Sequence, residues 1–580
     1  MAARHRGPEL TAMQNEEIAR VLEQVADMLE VRGENFFRVR AYRNAARAVR
    51  DHPVSVAQLG RKALQEIPGV GADLAEKIVS LIATGDFPLY RELVAQVPAG
   101  LLELLTLPGL GPKRVKFLAE RLGICDRASL RMAIESGQLR TVRGFGAKIE
   151  QRVLEALARR QGPARMLYRE AAVLAHALIA HLRESDAVIE AEIAGSFRRK
   201  RDTVGDLDVL VASTDPERVA KRFLTFGEIA RTLGSGETKS SVMLKSGLQV
   251  DMRVVPPSSW GAALVYFTGS KAHCVHLRRI AQARELMLNE YGLFREGRAI
   301  AGEDEEGVYR ALSLTYIPPE LREDRGEIEA AADGRLPRLI ERRDLRGDLH
   351  SHSTWTDGRS SIEEMAWAAK RAGLEYFALT DHSQRLAMVN GLNPERLREQ
   401  RREIEKARAA VSGIQILHGI EVDILDDGSL DLPDNALGEL DWVVASVHSK
   451  LSQPEPEMTN RLTKAIRNPH VDVIGHPGGR LINEREAINF DLAEVIRVAR
   501  EEGCALEVNS QPDRLDLTDT ACMTARLAGV KLVVSSDSHH TSGFGLLEFG
   551  INQARRGWVQ AADVVNTQPL EDLRARRRVA

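Results

Sequence analysis

Gly195-Ser-Phe-Arg-Arg199, running on to Gly205-Asp-Leu-Asp-Val-Leu210, decides how the rest of this 580-residue chain is read. Ile193 and Ala194 lead into a small-residue turn at Gly195-Ser196, and two arginines follow. Gly205 then opens an apolar strand, Leu207, Val209, Leu210 and Val211, that carries Asp206 and Asp208. Side chains two apart on a strand share a face, so the two carboxylates stand side by side. Like charges that close repel unless a cation lies between them. Hard oxygen donors at that spacing suit Mg²⁺ or Mn²⁺. A third strand-borne acid is Asp251, in Leu248-Gln-Val-Asp-Met-Arg-Val-Val255. Three carboxylates are enough to hold two metals, which align an attacking hydroxyl with a leaving pyrophosphate. The Gly195-Ser196 turn offers backbone N–H groups and a hydroxyl to a phosphate, and Arg199 offers charge to neutralise it. Arg253 shares the face of Asp251 and is expected to pair with a carboxylate when the site is idle. A lone Asp-x-Asp is usually a pair of solvated aspartates on a buried strand; the longer string is what carries the chemistry.

That string, Gly-Ser followed by Gly-Asp-x-Asp and a strand Asp about forty residues later, resembles the nucleotidyltransferase signature of family X DNA polymerases. The resemblance implies an α/β palm over 164–255. In it Asp206, Asp208 and Asp251 are the catalytic metal ligands, and Gly195, Ser196, Arg199 and Gly205 bind the nucleotide.

Bulk properties agree with a soluble multidomain protein. Hydrophobic residues make up 43% and charged residues 28%, ordinary for globular chains rather than disordered ones. No run approaches the 18 or so apolar residues of a membrane span, and Met1-Ala-Ala-Arg-His-Arg has no apolar signal core. Cys125, Cys274, Cys504 and Cys522 show no paired spacing, which fits a reducing cytosol and argues against a zinc-finger or disulfide framework. The expectation is a cytoplasmic protein with no membrane partner; a monomer is expected as well, without a feature of the sequence that fixes it. Residues 1–160 hold 25 Lys and Arg against 19 Asp and Glu, which leaves about −9 for the remainder of a chain whose net charge is −3. A basic N-terminal part on an acidic remainder fits a DNA-gripping portion joined to carboxylate-rich metal sites.

Residues 11–160 read as helices, with apolar positions at helical spacing in Ile18, Val21, Leu22, Val25 and Leu29. Three Gly-bearing corners resemble one another: Ile67-Pro-Gly-Val-Gly-Ala72, Leu107-Pro-Gly-Leu-Gly-Pro112 and Val142-Arg-Gly-Phe-Gly-Ala147. Each precedes a Lys-containing helix, with Lys77, Lys113 and Lys148. Such a turn presents backbone N–H groups at a positive helix end, suited to a DNA phosphate without base contact. The corners look like helix-hairpin-helix motifs, so Gly69, Gly71, Gly109, Gly111, Gly144 and Gly146 are candidate DNA-binding residues. A glycine-cornered helix pair with a purely structural turn is the bland alternative for any one copy.

Asn35-Phe-Phe-Arg-Val-Arg-Ala-Tyr-Arg-Asn-Ala-Ala46, together with Ile67 to Lys77, resembles the small N-terminal domain of family X repair polymerases. The resemblance implies that Lys77 is a lyase nucleophile, forming a Schiff base with a deoxyribose phosphate, and that Arg38 and Tyr42 line its 5′-phosphate pocket. Asp73 stands where vertebrate relatives carry a phosphate-binding lysine. To act as a nucleophile Lys77 needs a depressed pKa. These features place an N-terminal helical, lyase-like domain at 1–85 and helix-hairpin-helix fingers at 86–163.

Residues 256–318 are expected to form a thumb. Tyr266-Phe-Thr-Gly-Ser-Lys-Ala-His-Cys-Val-His-Leu-Arg278 resembles the family's Tyr-Phe-Thr-Gly-Ser turn. The resemblance implies that Tyr266, Phe267, Gly269 and Ser270 pack on the incoming sugar and exclude a 2′-hydroxyl. Cys274 stands where relatives often have an Asn on the minor-groove edge, and Lys271 where vertebrate members have an acid. Residues 319–345 are highly charged and poor in β-formers, and read as a linker with a short helix.

From about 346 the character changes. Nine of fifteen histidines fall in this last part, and apolar runs repeatedly end in a metal-competent side chain. Phe377-Ala-Leu-Thr-Asp-His382, Ile416-Leu-His-Gly-Ile-Glu421, Trp442-Val-Val-Ala-Ser-Val-His448, Val471-Asp-Val-Ile-Gly-His476 and Leu532-Val-Val-Ser-Ser-Asp537 show the pattern, with His539 two further on. Asp348-Leu-His-Ser-His352 and Asp357-Gly358 precede them, and helices such as 362–372 and 492–502 lie between. Alternating β and α with chemistry at strand C-termini is the plan of a (βα) barrel. His350, His352, Asp357, His382, Glu421, His448, His476, Asp537 and His539 are donors enough for about three divalent metals. Imidazole with carboxylate and no thiolate suits Zn²⁺, Mn²⁺ or Fe. Water made acidic by such metals attacks a phosphate ester. His418, His470 and His540 read as core or supporting residues. The segment 346–580 resembles a PHP (polymerase and histidinol phosphatase) domain, with every ligand position of that family's trinuclear site filled.

Together the two halves resemble a bacterial family X DNA polymerase with a C-terminal PHP domain. The fold expected is multidomain: α-helical N-terminal helix-hairpin-helix domains, an α/β nucleotidyltransferase palm and thumb, and a barrel-like PHP domain. The resemblance implies a polymerase that fills short gaps using dNTPs on gapped or nicked DNA, with a Mn-dependent 3′–5′ exonuclease that extends to abasic sites or 3′-phosphates. The rival readings are a template-independent nucleotidyltransferase, a DNA-end binding protein, and a PHP half that is structural or hydrolyses a small phosphate ester.

Overall fold

The computed structural model describes residues 15–575 apart from 51–55, 68, 98–99, 102–103, 105–109, 111, 136–152 and 154–164. The chain divides into two compact units, residues 1–164 and 165–580.

In the first unit the helical periodicity produces α1 (Asn15–Arg32), α2 (Phe36–Arg50), α3 (Arg61–Gln65), α4 (Ala72–Thr84), α5 (Pro88–Gln96), α6 (Pro112–Leu122) and α7 (Arg127–Glu135). Ile18, Leu22, Val25 and Leu29 fall on one face of α1 and are fully buried in one core with Val39, Ala46, Ile78, Leu81 and Leu118. Each such aliphatic side chain contributes roughly 1.5–3 kcal/mol of burial. Val21, which shares their spacing, sits at the rim of that core. Gly69 takes φ +91°, the left-handed turn the first corner needs before α4, and Gly85 at +72° ends α4.

The second unit begins with a five-stranded palm sheet. Its strands are β1 (Glu190–Ile193), β2 (Asp206–Ala212), β3 (Ile229–Ser235), β4 (Lys239–Leu244) and β5 (Gln249–Val255), in the order β1-β2-β5-β4-β3. β2 and β5 run parallel and the other pairs antiparallel. Alternation along β2 sends Leu207, Val209 and Val211 into a core with α8 (Tyr168–Arg183) and with Val219 and Phe223 of the helix Pro216–Leu224. The opposite face of β2 carries Asp206, Asp208 and Leu210, and Leu210 packs on Ala263 and Leu264.

The helical turn α9 (Gly195–Arg198) and α10 (Pro216–Leu224) complete the palm. Next come α11 (Trp260–Thr268), α12 (Lys271–Ala283), a small antiparallel sheet of β6 (Met287–Asn289), β7 (Gly292–Arg295) and β8 (Arg298–Ala301), and α13 (Glu305–Ala311). The expected linker at 319–345 is instead packed. It holds the short helix α14 (Glu327–Ala332), and Leu321, Ile328, Ala330 and Leu339 join one core with Val265, Leu277 and Tyr309. Part of its charge is paired internally: fully buried Arg322 donates to Glu305 at 2.5 Å, and Glu327 meets buried His273 at 2.6 Å.

The C-terminal part is a sheet of seven parallel strands in sequence order. They are β9 (Gly347–Asp348), β10 (Tyr376–Leu379), β11 (Gln415–Asp423), β12 (Trp442–Ser446), β13 (Val473–Ile474), β14 (Ala505–Asn509) and β15 (Leu532–Ser535). Intervening helices are α15 (Ile362–Arg371), α16 (Pro394–Ala410), α17 (Glu455–Ile466), α18 (Leu492–Glu502) and α19 (Asp519–Leu527), followed after β15 by α20 (Leu547–Arg556). A parallel bridge between Ser351 and Ser538, with His352 N–H donating to the Ser538 carbonyl at 2.8 Å, links the first and last strands and nearly closes a barrel. Tyr376, Ala378, Leu417, Val444 and Val533 fill its interior, and Phe377, Leu379, Ile416 and Ile420 face the helices.

Candidate active sites

The palm carboxylates converge through strand register. Asp208 lies directly opposite Asp251 across the β2–β5 pair, and Asp206 is two residues before Asp208 on the same face. Burial first, and then the charges of Asp206 and Asp251, push the Asp208 carboxyl up to about 6. A divalent cation reverses that crowding, which is how the donor set fits one. Both oxygens of Asp251 are held, one by the Ser241 hydroxyl and the other by the Gln249 amide at 2.8 Å. Neither supporting residue was anticipated, although Ser241 sits opposite Asp251 on β4. Gly195, at φ +60°, lets α9 lie against the site: a Cβ there would collide with Asp208 Oδ2 and come within 3.2 Å of its Cγ. Ser196 is half-buried in α9. Gly205 abuts Arg165, whose Nη1 would lie 3.2 Å from an added Cβ.

Two arginines make contacts that their spacing did not suggest. The Arg199 guanidinium donates to Glu323 at 3.0 Å and to the Thr268 carbonyl at 2.8 Å, so its charge is committed inside the protein. Among the described residues Arg253 pairs with no carboxylate within hydrogen-bonding distance; its guanidinium lies 4.9 Å from the centre of the Phe267 ring. Phe267 and Tyr266 meet edge to face at 5.0 Å. Gly269 leaves room that a Cβ would take from His273 and Cys274, within 2.9 Å of both. The Ser270 hydroxyl caps α12, accepting from His273 N–H at 3.2 Å. Cys274 is buried, its thiol 3.2 Å from the Tyr266 carbonyl.

In the first unit, Gly71 is the N-cap of α4 with no side-chain cap, and Gly71, Ala72 and Asp73 are exposed, so the first corner presents backbone donors outward. Arg38 is exposed beside Glu34, 3.4 Å away. Tyr42 is buried with a hydroxyl that has no partner among the described residues. Lys77 lies 5.6 Å from the Tyr42 ring centre and pairs with Asp73. Burial lowers the Lys77 pKa, but the contacts with Asp73 and Tyr42 outweigh it and raise the pKa above the ordinary value. That is opposite to what nucleophilic attack needs. Gly109, Gly111, Gly144 and Gly146 lie outside the described residues.

At the C-terminal end of the barrel all nine expected donors come together. His352, Asp357, His382 and His539 form one group, His350, His352 and Asp537 a second, and His382, Glu421 and His448 a third, with donor atoms in each within 4.8 Å. His476 joins them through Glu421, 2.9 Å away. Each carboxylate is shared. Glu421 faces His350, His382, His448 and His476; Asp537 faces His350, His352 and His539; Asp357 faces His352, His382 and His539. Burial opposes ionisation of Glu421, yet the charges of His382, His448 and His350 hold its carboxyl well below the usual range.

The site fits metal ions on its own geometry. His350 Nε2, His352 Nδ1, His382 Nδ1 and His476 Nδ1 are buried with no hydrogen-bond partner among the described residues. His382 Nδ1 is 2.8 Å from Glu421 without hydrogen-bond alignment, as when two ligands aim at a common centre instead of at each other. Two other ring nitrogens are anchored behind the site: His350 Nδ1 to Glu507 at 2.7 Å and His448 Nδ1 to Asp423 at 2.9 Å. Glu507 and Asp423 were missed, as was Asn509, whose amide donates to Asp537 at 3.1 Å. The signal was present in Ala505-Leu-Glu-Val-Asn509, an apolar strand with polar residues on its inward alternation, like the one that exposed Glu421. His476 and Asp537 take φ +26° and +51°, a region L-residues seldom occupy and one that concentrates at functional positions. His418 lies outside this cluster, with one ring nitrogen 3.3 Å from Arg401.

Fold and donors define a nucleotidyltransferase palm joined to a phosphoesterase barrel that gathers metal-competent donors. Family models agree in both halves: DNA polymerase beta palm over 165–273, DNA polymerase beta thumb over 263–323 and PHP domain over 348–511. Two more match the first unit, a helix-hairpin-helix domain over 13–87 and a SAM-like helix-hairpin-helix tandem over 101–159. The PHP match ends before Asp537 and His539, whose place in the site rests on geometry. A relative from Bacillus subtilis (strain 168), named DNA polymerase/3′-5′ exonuclease PolX, is 39% identical over 97% of this chain and 99% of its own length. Two proteins named as probable phosphatases match the barrel alone. That of Thermoanaerobacter sp. (strain X514) is 31% identical over 38% of this chain and 89% of its own length. That of Caldanaerobacter subterraneus is 33% identical over 33% of this chain and 75% of its own length. The chain belongs to the bacterial family X DNA polymerases that carry a C-terminal PHP domain.

Proposed function

We propose that this chain fills short gaps in DNA by template-directed addition of dNTPs at the palm, and that its barrel shortens DNA 3′ ends by hydrolysis. The observation that carries the first half is the facing pair Asp208–Asp251 with Asp206 beside it, on a chain of the polymerase family. Two Mg²⁺ or Mn²⁺ ions held there would supply Lewis acidity toward the primer 3′-hydroxyl and charge neutralisation for the pyrophosphate. The chain's own residues do the rest. Asp206, Asp208 and Asp251 hold the ions, Ser241 and Gln249 keep Asp251 oriented, and α9 with Arg199 receives the β,γ-phosphates. Tyr266, Phe267 and the Gly269-Ser270 turn form the wall against the sugar. The uncapped N-terminus of α4, with Arg38, Tyr42 and Lys77, is a phosphate-binding surface for the downstream strand of a gap or nick. The protonated Lys77 is better suited to holding phosphate than to attacking a sugar.

In the barrel the nine donors would hold about three divalent ions, of Mn²⁺, Zn²⁺ or Fe, which would supply Lewis acidity and charge neutralisation toward a phosphodiester. Glu507, Asp423 and Asn509 orient His350, His448 and Asp537. 3′-ends, abasic sites and 3′-phosphates share the phosphate-ester chemistry of this centre. The phosphatase names of the barrel's relatives favour, as a second reading, a small phosphate ester as substrate. We place the protein in the cytoplasm as a monomer; no helix among the described residues is long and apolar enough to cross a membrane.

A 5′-labelled primer in a one-nucleotide gap with a 5′-phosphate, in Mn²⁺ with and without dNTPs, tests both halves. Templated extension by one, and shortening when dNTPs are left out, is the expected result. Shortening without extension would refute the palm assignment. Extension with no shortening, alongside rapid hydrolysis of a small phosphate ester, would select the second reading.

A further inference from the structure

A buried ion-pair cluster joins the palm's phosphate turn to the last long helix of the barrel. Arg199 donates to Glu323 at 3.0 Å. The same Glu323 oxygen lies 3.1 Å from Arg556 Nη1 on α20, and 3.7 Å from Arg201. Arg556, 2% exposed, also donates to the Arg199 carbonyl at 2.7 Å and to Asp519 at 2.6 Å. Asp519 is held in turn by Arg325 at 3.0 Å. The Glu323 side chain is 9% exposed.

For Arg199 to grip a nucleotide phosphate, its guanidinium has to leave Glu323. A carboxylate buried to that degree is strongly unfavourable without a cation. Arg201 is half-exposed and too distant to serve alone. Arg556 already touches the oxygen that Arg199 vacates and is fixed by two further acceptors, so it takes over without moving. We propose that Glu323 is a nucleotide-exchange gate: it holds Arg199 in the empty palm and passes to Arg556 of the barrel when a dNTP takes Arg199. The barrel thereby sets the palm's affinity for nucleotide, with Arg556 and Glu323 as positioning residues. This rests on the reading of Arg199 as a ligand of the β,γ-phosphates.

The test is steady-state single-nucleotide gap filling by the full chain, with KM for the dNTP and kcat measured separately. Arg556→Met is expected to raise KM on the order of tenfold, the usual scale for losing a charged hydrogen bond, with kcat within about twofold. Shortening of 3′ ends by that variant should match wild type, which shows that the barrel is intact. Glu323→Gln frees Arg199 and should lower KM about threefold, and adding Arg556→Met to it should change KM by less than about twofold. An Arg556→Met effect of equal size in both backgrounds would reduce Arg556 to a structural brace and overturn the gate. So would a Glu323→Gln variant whose KM is not lowered, a measurement that stands even if Arg556→Met does not fold. Arg199→Met separates the two levels. If it leaves KM unchanged, the assignment of Arg199 to phosphate is wrong; if it raises KM while Arg556→Met does not, only the gate is wrong.

Discussion

Replacing Gly195 by Ala is a one-methyl test of the palm. Gly195 sits at φ +60°, where an L-residue is disfavoured by roughly 1–2 kcal/mol. The methyl would also overlap Asp208 Oδ2 and crowd its Cγ at 3.2 Å. Relieving that overlap needs a shift on the order of 1 Å in the carboxylate or in α9, and a misplacement of this size typically costs about 10²-fold in rate. Asp208 cannot retreat into β2, because its backbone is tied to the parallel partner strand and its carbonyl accepts from Ala194 N–H at 2.7 Å. Gly195→Ala should therefore lower kcat for gap filling by about two orders of magnitude. The thermal midpoint should fall by only a few degrees, in line with a loss of about 1–2 kcal/mol in a large chain. Single-turnover extension at saturating dNTP, with 3′-end shortening as a folding control, measures this. Extension at the wild-type rate would mean that α9 does not lie against Asp208, and the geometry of the phosphate turn would be wrong.

Other expectations follow from the supporting residues. Glu507→Gln loosens His350 and should reduce metal retained by the barrel after dialysis against a chelator, reflecting a 10- to 100-fold loss of affinity; metal content equal to wild type would contradict the role given to Glu507. Burial alone would raise the Glu305 pKa, but Arg322 and Arg198 hold it at about 2, so its stabilisation is present above the unfolded pKa near 4.5 and is lost as pH falls from there toward 2. Urea unfolding should show Glu305→Gln less stable by roughly 3 kcal/mol at pH 7, with the gap closing over that acid range; a gap that does not vary with pH would reject the ion-pair account. Borohydride trapping of a deoxyribose phosphate on Lys77 should be slow near neutral pH and faster in Asp73→Asn, which removes the partner that keeps the amine protonated; fast trapping that Asp73→Asn leaves unchanged would show that the pair does not restrain Lys77.

The parts of this molecule that local rules govern were readable from its residues. Strand alternation placed Asp206 with Asp208, and the strand-end habit of a parallel barrel pointed to candidate donors such as His382, Glu421, His448, His476 and Asp537. Helical spacing found the α1 face, though Val21 proved to sit at its rim. What escaped depends on partners far apart in the chain. The pairing of Arg199 with Glu323, 124 residues on, has no local signal, and Arg253 lies against Phe267 rather than an acid. The charges of 319–345 looked like solvated linker because composition does not distinguish a solvated charge from one buried opposite Glu305 or His273. Lys77 was chosen by resemblance, but its protonation is set by Asp73 one helical turn away, a pairing that (i, i+4) spacing makes visible in retrospect. Glu507 and Asp423 were missed because attention fell on the residue ending each strand, and their work is done one step behind it.

One chain carries two phosphate chemistries at two separate sites. The most direct measurement places Asp208→Asn and His352→Ala, each shown to be folded, on the same one-nucleotide-gap substrate in Mn²⁺. Asp208→Asn should abolish extension and leave shortening of the primer intact, and His352→Ala should do the reverse. Loss of both activities from either single substitution would contradict the two-site account.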